Sequence, residues 1–183
     1  TISPALVASI RRVFRPLVKL MLAKGITFPY LFETLKDIFV EVAEKDFKID
    51  GFQTVLVDEL IPYVDGHFRT AANQANRAMA GLSMGGMETH MITLNKPEVF
   101  SHYALLSGGV YTPEEIKDKS KVKLIFLSCG SKENPDRVKS SVDKLKESGF
   151  NAVSYISPNT AHEFQTWRRS LYQLAPLLFQ NKK

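Results

Sequence analysis

Cysteine is almost missing from this sequence. Cys129 stands alone among 183 residues. Intrachain disulfides are therefore excluded, and so are metal centres built from several thiolates. The scarcity also favours a reducing compartment. Long apolar runs are missing too. The nearest approach, "PLVKLMLAKG", falls short of the roughly 18 residues that suggest a membrane span, and it carries two lysines. The first residues lack the basic, apolar and small-residue succession of a secretory leader, so a cytoplasmic location is expected. Internal repeats and low-complexity tracts are absent. Acidic residues are absent from the first 32 positions, where five basic residues (Arg11, Arg12, Arg15, Lys19 and Lys24) account for the whole net charge of +5. Such a segment can meet an anionic surface, but it reads more simply as the solvated face of an amphipathic helix. With 44% hydrophobic and 23% charged residues, the chain has the makings of one globular core with an appendage.

What is present falls into two textures. Residues 4–24 and about 27–45 carry apolar side chains at three- and four-residue intervals and read as two helices, with Gly25 between them and Pro16 as a defect in the first. "KIDGFQ" reads as a break. A boundary near residues 48–53 thus separates a helical segment, 1–52, from a second domain, 53–183. That domain opens on "VLVDELIPYVDGHF", helical except for an awkward Pro62. A polar loop, "RTAANQAN", leads to a strand at 78–82 and a helix from Met84 to near Asn95. "HYALLSGG", "KVKLIFLSCG" and "NAVSYIS" read as further strands. "TPEE" has the capping-box pattern, with Thr112 as N-cap, Pro113 next and Glu115 closing the box. Asn134 and Gly149 bound another helix, and a last one spans about 163–179. Strands alternate with helices, and most strands are apolar throughout. The expected fold class is α/β, with a parallel sheet of about four strands.

Three glycines crowd one serine in "RAMAGLSMGGMETH": Gly81, Gly85 and Gly86 around Ser83. Strand, Gly81-Leu82-Ser83-Met84-Gly85, then helix is the G-x-S-x-G nucleophile elbow in the context that pattern requires. The turn is expected to be so tight that positions 81 and 85 cannot bear side chains. It would hold Ser83 strained at a strand's carboxyl end, over the N–H groups that open the next helix. The Met84 N–H, directly after the nucleophile, would be one oxyanion donor.

A serine hydroxyl needs a base. His67 precedes the elbow, His90 lies on the elbow helix pointing away, and His102 opens a strand at the wrong end of the sheet. His162, in "SPNTAHEF" after the last strand, shares the carboxyl rim with the elbow and is the candidate base. The acid belongs between serine and histidine, at another strand end. Glu133 is the nearer to the strand that ends at Cys129-Gly130, and Asp136, in the first turn of the next helix, is the alternative. Cys129 reads as core packing. No metal or organic cofactor is implied.

With those residues in place, residues 57–179 resemble the esterase family of α/β-hydrolases that includes the feruloyl and acetyl-xylan esterases of carbohydrate esterase family 1. The marks are "DELIPYV", "NRAMAGLSMGG", "FSHYALLSGG", "FLSCGSKE" and "AHEFQTW". The resemblance covers the C-terminal half of that fold. It implies Ser83 as nucleophile, His162 as base and Glu133 in the acid's position, and a serine carboxylesterase acting through an acyl-enzyme. It also suggests Trp167 near an acyl or aryl pocket, for which helix-to-sheet packing is the other reading. The family's His- and Gly-rich loop, source of a second oxyanion donor, has no counterpart among the 82 residues before Ser83. There, "RPLVKLMLAKGITFPYLFETLKDIFVEVAEKDF" resembles an uncharacterised bacterial family of helix-turn-helix character. In the intact fold the elbow strand is central. Without its neighbours it presents unpaired backbone groups. Either the N-terminal helices pack there or a second copy of the chain pairs strand to strand, and the second copy is favoured because helices cannot complete a strand's ladder. The rival functions are a weakly active esterase remnant serving as an oligomerising or binding module, and nucleic-acid binding through the basic helices. The latter has little aromatic interleaving and no groove-reading pattern to support it.

Overall fold

The runs of Val, Ile, Leu and Phe with no polar alternation do form the sheet. The computed structural model describes residues 49–180, and the chain divides into two units between Thr70 and Ala71. The helices expected over 4–24 and 27–45, and the basic residues on them, lie outside the described residues.

The first unit is helical as far as it is described. Helix α1 (Ile49–Thr54) runs through a π-helical turn (Val55–Leu60) into α2 (Ile61–His67). Residues 49–53 of the "KIDGFQ" stretch read as a break are helical. Gly51 sits inside α1, and a glycine in a helix interior costs only about 1 kcal/mol against alanine. Pro62, awkward on paper, stands at the start of α2. The ladder just before it has already loosened to the π pattern, so its missing donor does not stop the helix.

The second unit is a four-stranded sheet in the order β1-β2-β3-β4, every neighbouring pair parallel. The strands are β1 (Ala78–Leu82), β2 (His102–Leu106), β3 (Leu124–Gly130) and β4 (Ala152–Ser157). Helices α3 (Met84–Asn95), α4 (Pro135–Glu147) and α5 (Phe164–Leu174) follow β1, β3 and β4. A short 3-10 turn, Pro113–Glu115, carries the expected capping box, with the Thr112 N–H on Glu115 Oε2 at 2.7 Å. The last helix stops short of residue 179. Pro176 cannot donate to the ladder, and the chain tightens into a 3-10 turn at Ala175–Leu177.

The apolar strands explain the core. All residues of β2 and β3 are buried, with Tyr103, Leu105, Ile125, Phe126 and Leu127 almost wholly inaccessible. β1 is only half-buried and, among the described residues, pairs with β2 alone. The register is in step: Leu82 lies beside Leu106, Leu106 beside Ser128, and Ser128 beside Tyr155. Parallel strands in step end together, so the residues just after them share one rim.

Candidate active site

Ser83 follows the last residue of β1 and caps α3, with φ 51° and ψ −119°. That is a sparsely populated backbone region for a residue with a side chain. Its N–H donates to Leu106 O at 3.0 Å, which ties it to β2. The glycines divide into two kinds. A Cβ at Gly81 would lie 1.9 Å from Gly85 O and 2.5 Å from Thr89 Oγ1, so position 81 admits no side chain. At Gly85 a Cβ would meet nothing within 4 Å. The expectation that both positions are sterically closed is thus corrected: the elbow presses Gly81 onto the backbone of Gly85, and the direction of that contact leaves the Gly85 side-chain position open. The second tight approach is Gly86 against Gly108, where a Cβ on either would come within 2.5 Å of the other's Cα. This seats α3 on the chain leaving β2.

Met84 opens α3, so its N–H stands directly after Ser83 in the first turn, where no intrahelical acceptor is available. Its side chain is half-exposed, as is that of Met87 one turn on.

His162 reaches the serine from the loop after β4. This loop is held by its backbone. Lys132 N–H donates to Thr160 O, Ser131 N–H to Ser157 O, and Thr166 Oγ1 to Ala161 O. At Gly130 a Cβ would fall 2.3 Å from Thr160 O, so the bare end of β3 lets the loop in. The His162 ring then spans two partners. Its Nε2 lies 2.8 Å from Ser83 Oγ, and its Nδ1 lies 2.9 Å from Glu133 Oε1. An ionised carboxylate only accepts, which assigns the proton to Nδ1 and leaves Nε2 to accept from the serine hydroxyl.

Glu133 sits in the turn after β3, its N–H on Gly130 O. Its other oxygen, Oε2, accepts from the Gly130 N–H at 2.5 Å and from Ser107 Oγ at 2.8 Å. Burial alone would raise the carboxyl. The Gly130, His162 and Ser107 contacts outweigh burial and hold it below its ordinary value. Asp136 is elsewhere: 95% exposed on α4 and 3.8 Å from Lys139. Trp167, on α5, is buried, and its ring meets that of His162 edge-on, with centroids 5.2 Å apart.

The remaining histidines have other partners. His67 bonds Tyr63 O, His90 stacks on Tyr111 beside Glu115, and His102 is buried against Ser101 Oγ. Burial pushes the Cys129 thiol up to about 11, which keeps it protonated at neutral pH. Among the described residues no group of His, Cys, Asp and Glu could hold a metal ion, and no helix is long and apolar enough to cross a membrane. Sequence reasoning missed Ser107. The signal was there: the "SGG" after β2 falls at the register position beside Ser83.

This geometry has relatives. The family model described as "Putative esterase" matches residues 30–177. The chain belongs to that esterase family. The match includes the helical residues 49–67 as well as the sheet. Within the family, the chain is 57% identical over 134 residues to an endo-1,4-beta-xylanase/feruloyl esterase of Xylanibacter ruminicola. That alignment covers 73% of this chain and only 18% of the relative. Among solved structures, the CE1 ferulic acid esterase of Anaeromyces mucronatus, solved with ferulic acid, superposes with a TM-score of 0.60 at 17% identity, over 71% of this chain and 54% of that one. The enterobactin esterase of Shigella flexneri does so at 0.53 and 20%, over 71% and 38%. The likeness to these structures establishes the esterase's fold, and the chain spans about half the length or less of each relative.

Proposed function

We propose that this chain carries the nucleophile, base and acid of a serine carboxylesterase. The observation that carries the reading is the unbroken hydrogen-bonded row from Ser83 Oγ through both ring nitrogens of His162 to Glu133. In this reading Ser83 Oγ attacks an ester carbonyl while His162 Nε2 takes its proton. Glu133 holds the ring and stabilises its protonated form. The Met84 N–H faces the oxyanion of the tetrahedral intermediate, and the protonated His162 returns its proton to the leaving alcohol. Water, deprotonated by the same nitrogen, then cleaves the acyl-enzyme and frees Ser83.

The substrate class follows from the feruloyl esterase of 57% identity: small acyl or aryl esters, feruloyl esters among them. Trp167 then acts mainly through His162, since its ring is buried against the base. The Met84 N–H is the oxyanion donor assigned among the described residues, and removing one such donor typically lowers turnover about 10²–10³-fold.

The half-buried β1, paired on one side only among the described residues, supports a second copy as partner. Leu82 at its end, and Met84 and Met87 on α3, are exposed apolar side chains.

Hydrolysis of p-nitrophenyl acetate and ethyl ferulate by the protein and by Ser83→Ala tests the reading. Activity is expected only with Ser83 present, together with stoichiometric labelling by a fluorophosphonate. Equal hydrolysis by both proteins overturns it.

A further inference from the structure

Two serines in this structure share an uncommon backbone. Ser83 has φ 51° and Ser107 has φ 52°. The register pairs Leu82 with Leu106, so the two serines are the next neighbours on adjacent strands. The left-handed region is unfavourable for a residue with a side chain, and glycines stand at positions 108 and 109. At position 107, nevertheless, the chain holds a hydroxyl.

That hydroxyl is aimed at the acid. Ser107 Oγ donates to Glu133 Oε2 at 2.8 Å, while Ser107 N–H is fixed by Ser128 O at 2.7 Å. The glutamate needs such an anchor. Its side chain has three torsions, one more than an aspartate's, and Oε1 must stay on His162 Nδ1. The Gly130 N–H also binds Oε2, from the end of β3, the strand that leads into the Glu133 turn. Ser107 binds it from a different strand: it stands just after β2, whose Leu106 O receives the Ser83 N–H. The end of β2 thus references both the nucleophile and the acid to one rigid frame.

We propose that Ser107 is a positioning residue whose hydroxyl fixes the plane of the Glu133 carboxylate and so keeps Oε1 on Nδ1 of His162. The proposal deepens the esterase reading and rests on it. A merely structural hydroxyl predicts something different, because Ser107→Gly removes the hydroxyl and relieves the backbone strain together.

The test compares wild type, Ser107→Ala and Ser107→Gly. Loss of one hydrogen bond to a charged group corresponds to about a tenfold fall in kcat for p-nitrophenyl acetate, with KM unchanged, in both variants. Ser107→Gly offsets part of the lost hydrogen bond by relieving the backbone strain and should stay fully folded at the assay temperature, so its lost activity cannot come from unfolding. It also keeps the test open if Ser107→Ala folds poorly. The low-field proton resonance of the His162 Nδ1–H should broaden or move upfield in both variants. Wild-type kcat and an unmoved resonance in Ser107→Gly overturn the proposal. A wild type that neither hydrolyses the ester nor takes up fluorophosphonate overturns the esterase reading instead, and the resonance still decides whether Ser107 positions the carboxylate.

Discussion

Gly81 and Gly85 flank Ser83 symmetrically in sequence, yet alanine should affect them in opposite ways. At Gly81 the new Cβ would sit 1.9 Å from a backbone carbonyl oxygen and 2.5 Å from the Thr89 hydroxyl. Relief needs β1 and the first turn of α3 to move apart by more than an ångström. The Thr89 hydroxyl must also turn away from the new Cβ, which breaks its 2.8 Å bond to Gly85 O. Overpacking costs about 1–3 kcal/mol and a lost hydrogen bond about 1 kcal/mol, so Gly81→Ala should destabilise by roughly 2–4 kcal/mol. At about 4 °C per kcal/mol for a unit of this size, the unfolding temperature should fall by roughly 8–16 °C. At Gly85 the Cβ enters open space, on a residue already in a helix. Gly85→Ala should change stability by no more than about 1 kcal/mol, toward the stable side. Thermal and urea unfolding followed by circular dichroism measure both. The steric account of the elbow is refuted if Gly81→Ala is as stable as wild type, or if the two variants lose stability equally.

Glu133→Gln should lower kcat by about 10³–10⁴-fold, because an amide favours the wrong tautomer of His162, whereas Asp136→Ala should leave ester hydrolysis within about twofold of wild type; steady-state kinetics on p-nitrophenyl acetate separates the two acids. Stability should fall in two stages on acidification. His102 has its value lowered below the ordinary 6.5, by burial first and the Lys123 charge second, so its contribution is present above 6.5 and is lost as pH falls through its folded value. Glu133, held below 4.5, contributes stability above 4.5 that is lost as pH falls through its own depressed value. Urea midpoints between pH 8 and 3, compared with those of Glu133→Gln, should show the second stage missing from the variant. Sedimentation at micromolar concentration should give a dimer, and Leu82→Lys a smaller species; a monomeric wild type removes the second copy from the account.

Much of this fold was legible in the sequence because the signals are local. Continuous apolar runs mark strands buried on both faces. Asn134 and Thr112 mark turns that open helical segments, and the glycines around Ser83 mark a tight strand-to-helix turn. The place of each histidine relative to the strands is a sequence property too, and it narrowed four histidines to His162, in the loop after the last strand. What went astray also has local causes. A glycine in "KIDGFQ" looks like a break but sits inside α1, and Pro176 ends a helix whose apolar pattern continues beyond it.

Only the tertiary structure decided the rest. Glu133 and Asp136 are three residues apart, and nearness to the strand end favours Glu133 without excluding Asp136. The in-step register of β1, β2 and β3 decides it, because it brings the ends of three strands to one rim and leaves Asp136 on the solvent face of α4. The same register gives Ser107 to Glu133. It also sets the direction from which Gly81 meets Gly85, closing one position and opening the other. Sequence determined which residues are capable of the chemistry. Which of them share a hydrogen bond depends on chain segments far apart in sequence, and those distances exist only once the sheet has formed.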